Sequence, residues 1–311
     1  MRAVCLALLL SQIPGIGRQR LLGLLRHLQQ GPPFSPDWEA LNAWLQSHPG
    51  VPAFSSRAAF TNYLDRAKRT MEALQAIGAK ATAFGEPEFP ARLALIPDPP
   101  ALLFYKGQGA ALHAPRVGAV VGTRQPTGYG KASSLRIGRL LAEQGFVVVS
   151  GLALGCDAAA HEGCVEAGGP TVAVLAHGLH TVYPAANRGL AERILACGGC
   201  WASEYPPGSP PSRMQFVQRD RLQIGLADFL VLIESDARGG AMHTVRFCLE
   251  QSKPLGCLLH PDKYLTEAPT RGNQNLLSSG KAIAIADGSS LVDFVRSAIQ
   301  AVSTNDNLDR N

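Results

Sequence analysis

The residues whose types could do chemistry cluster in glycine-containing loops. Gly122-Thr123-Arg124, Ser150-Gly151, the run from Gly178 to Pro184, Ser203-Glu204 and Arg238-Gly239-Gly240 each follow a short apolar stretch. Such loops at strand ends present backbone amides and helix N-termini, which bind anions and above all phosphate. Arg124 adds a fixed charge with a planar fork suited to phosphate. Arg213, Arg219 and Arg221 stand on one helical stretch ahead of a later apolar run. General acids and bases are scarce. Asp157, His161 and Glu204 are the titratable groups close to the glycine turns. Asp157 reads as the cap of the helix that begins there, and His161, one turn on, as its neighbour in a structural pair.

Several chemistries are excluded by spacing. A dinucleotide fingerprint needs GxGxxG after the first strand and an acid at the end of the next. Here the turn reads Gly122-Thr-Arg-Gln-Pro-Thr-Gly128, and Ser150 stands where the acid belongs. No GxxxxGK[ST] loop is present, and no Ser/His/Asp or Cys/His set assembles by spacing. Cys197-Gly198-Gly199-Cys200 is the sole CxxC; a zinc site would want a second pair. It reads as a glycine helix cap between two small residues. No catalytic residue, metal site or cofactor is expected.

The elements that position these loops follow from periodicity. Val117–Val121 is a short apolar run of the kind that forms a buried parallel strand. A helix follows over 127–144, ended by Gly145, and a strand over 146–149 completes a βαβ unit. Further strands are expected near 171–175, 199–202, 228–233, 255–259 and 282–285, with helices between them and a last one near 289–301. That alternation predicts an α/β fold with a doubly wound, mostly parallel sheet. Upstream, strands are expected at 81–84 and 101–105. Helices near 37–46 and 56–77 precede them; Arg57, Arg66, Lys68 and Arg69 on the second read as a solvated face. Residues 4–30 read as two helices around Ile13-Pro-Gly-Ile-Gly17, a turn used by helix-hairpin-helix modules to meet phosphate, with Arg18 and Arg20 beside it. An ordinary helical hairpin with solvated arginines explains the same residues. Gly31–Pro36 is a Pro/Gly break.

Composition agrees with a globular protein. The chain has 311 residues, 46% hydrophobic and 17% charged, and a net charge of +5. Residues 1–114 carry 11 Lys+Arg against 7 Asp+Glu, and the rest 18 against 17, so anionic partners are allowed but not demanded. No apolar run approaches the ~20 residues that span a bilayer. Ala3–Leu10 lacks the cleavage site of a signal peptide. Seven cysteines at irregular spacing fit reduced thiols and a cytoplasmic location.

A set of collinear motifs then points to a family. SGLALGCDAAAH at 150–161 is similar to a signature SG-x-A-x-G-x-D-x-x-AH. VVGTR at 120–124, AVLAHGLHTVYPAANRGL at 173–190, SEYPPG at 203–208 and FVQRDR at 216–221 follow in the same order, and EPEFPARLALIPDPPALLFYKG precedes them at 86–107. Together they resemble the DNA-processing protein A family (DprA, or Smf), over roughly residues 5–285. The resemblance implies an extended Rossmann-like domain at 67–302 behind a small all-α, SAM-like domain at 1–66; the low-complexity run STNDNLDRN at 303–311 reads from its composition as a disordered tail. It implies a non-enzymatic, cofactor-free homodimer that binds single-stranded DNA with little regard to sequence and loads the recombinase RecA onto it in natural transformation. Its strand-binding pocket carries over to Gly122, Thr123, Arg124, Ser150, Gly151, Tyr183, Pro184, Asn187, Arg219 and Arg221; Gly178, Arg213 and Gly240 join them from the loop ring.

The chain departs from the family pattern in places. Arg-Asn-Arg becomes Arg219-Asp220-Arg221, adding a negative charge. Ser-Gly-Ser-x-x-Thr-Ala becomes Gly239-Gly240-Ala241-Met242-His243-Thr244-Val245, losing two hydroxyls, and a Pro-Gly after the next strand becomes His260-Pro261. A C-terminal winged-helix domain, present in many members, is not expected. Two other readings stay open. Gly239–Thr244 faintly resembles the PGGxGT loop of lysine-decarboxylase-like enzymes, which cleave nucleoside monophosphates at the glycosidic bond, although the acid expected just after Thr244 is absent and Glu250 lies six residues on. A purely structural or protein-binding module is the other.

Overall fold

A computed structural model describes residues 3–30 and 37–308; the Pro/Gly break at 31–36 and the last three residues of the expected tail lie outside them. Residue contacts divide the chain into two units. One holds the residues up to Lys106 with His177–His180 and Ser203–Pro210, and the other holds the rest.

The first unit opens with α1 (Ala3–Leu10), α2 (Arg18–Gln30), α3 (Trp38–Gln46) and α4 (Arg57–Ala76). Asp37 and Ser56 cap α3 and α4 by accepting from Ala40 and Ala59 N–H. Trp38, Phe54 and Phe60 pack ring against ring, with Phe54 and Phe60 at 5.3 Å. An antiparallel pair follows, β1 (Ala79–Ala83) with β2 (Leu102–Gly107), separated by the single-turn α5 (Ala91–Ala94). The expected boundary at 66/67 falls inside α4, one unbroken helix. The apolar α1 packs on both α4 and β1, so the helices and this hairpin share one core and the division comes at Lys106 instead. The Pro14-Gly15 turn holds its own arginines. Arg18 pairs with Asp98 and lies 3.6 Å from Glu204, while Arg20 donates to Gly15 O at 2.8 Å. Arg20 is exposed, as an ordinary hairpin would leave it, whereas Arg18 is half-buried and ion-paired instead of solvated.

The second unit is the doubly wound sheet. In chain order it contains β3 (Val117–Val121), α6 (Gly128–Glu143), β4 (Val147–Ser150), α7 (Cys156–Glu166), β5 (Thr171–Val174), α8 (Arg188–Ala196), β6 (Cys200–Ser203), α9 (Arg213–Leu226), β7 (Phe229–Leu232), α10 (Ala241–Glu250), β8 (Leu255–Leu258), α11 (Arg271–Ser278), β9 (Ile283–Ile285) and α12 (Gly288–Leu308). These strands run in the order β6-β5-β4-β3-β7-β8-β9, every pair parallel. Helix α12 carries its backbone to Leu308, through positions where the sequence predicts an unstructured tail.

The central strands are fully buried, as their unbroken apolar runs require. Val120, Val148, Val231, Phe146 and Phe229 form the core with Phe294 and Leu291 of α12. Helices α6 and α7 meet backbone to backbone: a Cβ on Gly138 would lie 2.1 Å from Ala160 O, and one on Gly163 1.9 Å from Leu135 O. The direction of winding reverses between β3 and β7, so their carboxyl ends flank the crevice where such sheets hold ligands.

Candidate functional site

A cleft of about 520 Å³ opens at that reversal point. It is lined by Val121–Gln125 after β3, Ala153 and Asp157 after β4, Phe216, Arg219, Asp220 and Gln223 of α9, and Ser235, Gly239, Gly240 and Thr244 around the start of α10. Its volume lies in the range that encloses a small ligand.

The floor of the cleft is ionic and closed on itself. Arg219 is 5% exposed. Its guanidinium donates to Gly151 O at 2.9 Å, to Val174 O, and through Nε to Asp220 Oδ1 at 3.1 Å. It thereby ties the ends of β4 and β5 to α9. Asp157 lies beneath it and accepts from Gly151 N–H at 3.1 Å. Burial pushes the Asp157 carboxyl up, opposed by Arg219 and by the amides of Ala153, Gly151 and Gly122. Burial likewise pushes Asp220 up to about 6; Arg219 pulls against this and Asp157 adds to it. The expectation that Arg219 is free to hold phosphate is therefore corrected: two carboxylates and two carbonyls already surround it. Arg221 is buried too, donates to Gln218 O at 2.7 Å, and does not line the cleft.

The turn amides are also taken. Gly122 N–H is held by Asp157, Thr123 N–H donates to Glu234 O at 2.7 Å, and Gln125 N–H to Thr123 Oγ1 at 3.2 Å. The N-terminus of α6 is filled by a residue the sequence did not single out. Glu234, at the end of β7, accepts from Thr127 N–H at 2.8 Å and Thr127 Oγ1 at 2.6 Å, and His260 Nε2 lies 3.2 Å away. Burial alone would raise this carboxyl, yet the hydrogen bonds from His260 and Thr127 hold it below its usual range. The expected phosphate cradle at α6 is thus occupied by the chain's own anion.

Further expectations change with burial. Ser150 is buried and spends its hydroxyl on Val120 O at 2.6 Å. Gly151 is buried, and a Cβ there would lie 2.2 Å from Arg219 Nη1, so the position admits only glycine. Asn187 is buried and donates to Leu152 O at 2.8 Å, pinning a non-glycine residue held at φ 56°. Gly178 belongs to the first unit, where its N–H donates to Ser209 O at 3.0 Å. Asp157 is the second residue of α7, whose cap is Gly155, and its carboxylate folds back on the loop amide of Gly151 instead of capping. His161 is buried against Thr171 Oγ1 at 2.7 Å, and burial lowers its pKa to about 3. Glu250 ends α10, exposed and 3.5 Å from Arg246, away from the cleft. Gly198, at φ 76°, ends α8 as a glycine cap between Cys197 and Cys200. Among the described residues no cluster of three or more His, Cys, Asp or Glu could hold a metal, and no helix is long and apolar enough to cross a membrane.

The rim keeps the free groups. Arg124 is exposed, and its guanidinium lies 5.2 Å over the ring of Phe216. Tyr183 continues the ledge at 5.7 Å from Phe216 and is 43% exposed. Arg213 is exposed in the first turn of α9, three residues before Phe216 and so on the same helical face. Gly240 caps α10 with no side chain of its own, and a Cβ there would meet nothing within 4 Å. Gly122, Thr123, Arg124, Arg219 and Gly240 of the predicted set therefore line the cleft, Arg219 at its floor, with Tyr183 alongside. Phe216 was missed by sequence reasoning; its spacing between Arg213 and Arg219 on one helix was the available signal. The rim offers cations, aromatic faces and an uncapped helix end around an acidic, self-satisfied floor.

Comparison with known proteins follows the same lines. The profile of a family described as DNA recombination-mediator protein A matches residues 80–296. Protein Smf of Synechocystis sp. (strain ATCC 27184 / PCC 6803 / Kazusa) is 37% identical over 214 residues, 67% of this chain and 52% of that protein. DNA processing protein DprA of Bacillus subtilis (strain 168) is 33% identical over 187 residues, covering 60% and 63%. The chain thus spans about half to two thirds of the length of these relatives. The X-ray structure of DNA processing protein A from Streptococcus pneumoniae superposes with a TM-score of 0.73 at 27% identity, covering 92% of this chain and 95% of that one. That of Helicobacter pylori DNA processing protein A, described for its single-stranded DNA binding mode, gives 0.62 at 29% identity over 71% and 97%.

Proposed function

Because this chain belongs to the DNA recombination-mediator protein A family, we propose that it binds single-stranded DNA at the rim of the β3–β7 cleft and hands the strand to a recombinase of the RecA type. The arrangement of Arg124 over Phe216 carries this reading. Base faces stack on aromatic side chains whatever the sequence, and a cation beside the ring meets the neighbouring phosphate. Tyr183 supplies a second ring, while Arg213 and the amides at Gly240 supply further phosphate contacts. Phosphates stay on the rim because the cation of the floor, Arg219, is already engaged by Asp220 and the carbonyls of Gly151 and Val174. No bond is made or broken: the buried acids are engaged with Arg219 and its surroundings.

The remaining parts of the proposal follow from family membership: a cytoplasmic homodimer, sequence-tolerant binding, and a role in natural transformation and recombination. An anisotropy titration with labelled oligo-dT tests the core of it. Preference for single strand over duplex and a steep inverse dependence on salt are expected. Equal, salt-independent binding of both overturns it. RecA ATP hydrolysis on single strands, with and without the chain, tests the hand-over, and light scattering tests the dimer. Incubation with AMP is expected to release no adenine.

A further inference from the structure

The cleft holds only a short piece of strand. Sequence-tolerant single-strand binders cover roughly 4–16 nucleotides per domain along a positively charged track. A cleft of about 520 Å³ is far smaller than that, so the rest of the strand needs a path across the surface.

One surface begins at the rim. Gln125 lines the cleft, and three residues on Gly128 lines a shallow groove along the outer face of α6. The rest of this groove is Lys131, Ala132, Leu135, Arg136 and Arg139. Lys131 to Arg139 spans about 12 Å at the rise of an α-helix. Lys131 and Arg136 are exposed and form no ion pair among the described residues. Arg139 is held by Glu166 of α7. Nearby acids do not cancel the pair. Glu162 is engaged by Arg193; Asp287, which lines the adjoining groove with Arg136, keeps its charge but is held by Ser289 and Ser290 and forms no ion pair with Arg136; and Glu143 stands at the far end of the helix. Between the two cations lie Ala132 and Leu135, an apolar strip that a sugar edge can cover.

We infer that the outer face of α6 is a second length of the DNA track, in which a strand leaving the cleft past Arg124 lays its phosphates on Lys131 and Arg136. This rests on the reading of the cleft as a single-strand site. Its support is that the groove begins three residues after the rim, at Gly128, and carries Lys131 and Arg136 without ion-pair partners among the described residues.

The test compares oligo-dT of about 6 and about 30 nucleotides, binding the native chain and the Lys131→Glu/Arg136→Glu variant. The variant is expected to bind the long oligonucleotide about tenfold more weakly and to reduce its salt slope by roughly 1.4, at about 0.7 per single-strand phosphate contact. The ratio of long to short affinity should collapse toward that of the cleft alone. Lys131→Ala/Arg136→Ala guards against a fold defect: it should show the same change in slope with an unaltered melting curve. Native-like long-oligonucleotide affinity and slope in both variants overturn the track and leave the cleft reading intact. A native chain that binds neither length removes both.

Discussion

The carboxylate of Glu234 closes the first turn of α6, accepting from Thr127 N–H at 2.8 Å and from its hydroxyl at 2.6 Å, with His260 Nε2 3.2 Å from the same Oε1. It joins the end of β7 to the start of α6 across the sheet's reversal point. Hydrogen bonds to a charged acceptor contribute about 1.5–3 kcal/mol each. Glu234→Ala is expected to cost about 3 kcal/mol and to lower Tm by several degrees. Because the folded carboxyl is held below its usual value, its contribution is fully present above the unfolded Glu pKa and fades as pH falls through the folded one. The gap in Tm between native chain and Glu234→Gln should therefore be wide at pH 7 and shrink below about pH 4.

Asp220 predicts the opposite dependence. Its carboxyl is raised to about 6, so between the unfolded value near 4 and pH 6 the folded chain binds the extra proton. Stability from this group falls as pH rises through that window. Asp220→Asn should match the native chain near pH 4 and exceed it by up to about 3 kcal/mol at pH 8, read as a Tm difference growing with pH. A variant that is less stable than the native chain at pH 8 would show that the contact with Arg219 outweighs the cost of burial.

Arg124 and Arg219 separate recognition from architecture. Arg124→Ala should leave the melting curve nearly unchanged, lower single-strand affinity about tenfold for all sequences, and flatten the salt slope by about one unit. Arg219→Ala leaves Asp220 and two carbonyls without this donor, removes the cation beside Asp157, and should cost about 3–5 kcal/mol. Circular dichroism melts beside anisotropy titrations distinguish the two. An Arg124→Ala protein with native affinity at 0.15 M salt contradicts the rim assignment.

Phe216 carries the stacking term. Phe216→Ala should weaken single-strand binding by about 1–3 kcal/mol, roughly tenfold or more, while Phe216→Tyr keeps most of it. Loss of binding to the same extent in both variants would assign Phe216 to packing instead of to a base face.

Much of the fold was legible because local signals and tertiary structure agree. The unbroken apolar run Val117–Val121 has no choice but burial on both faces, and glycines such as Gly145, at φ 79°, end helices where the pattern stops. The split at 66/67 was not legible, because α4 runs through it and its packing partner α1 is distant in sequence. In the site, Thr123 and Arg124 were readable from a turn, but the fate of Arg219 was not. Which face of α9 turns inward depends on the carbonyls of Gly151 and Val174, 68 and 45 residues away. The acid after β7 reads as an ordinary loop residue until the fold brings Thr127 to it across 107 positions.

Arg124 rests on Phe216 through a contact made wholly within the chain. A long side chain ordered on arrival of a ligand costs about 0.5–1.5 kcal/mol of rotational freedom. Here part of that ordering happens when the chain folds, so an incoming strand meets a preset charge. Calorimetry should reflect this as a smaller entropic penalty for the native chain than for Phe216→Leu, in which the guanidinium swings free until the DNA arrives.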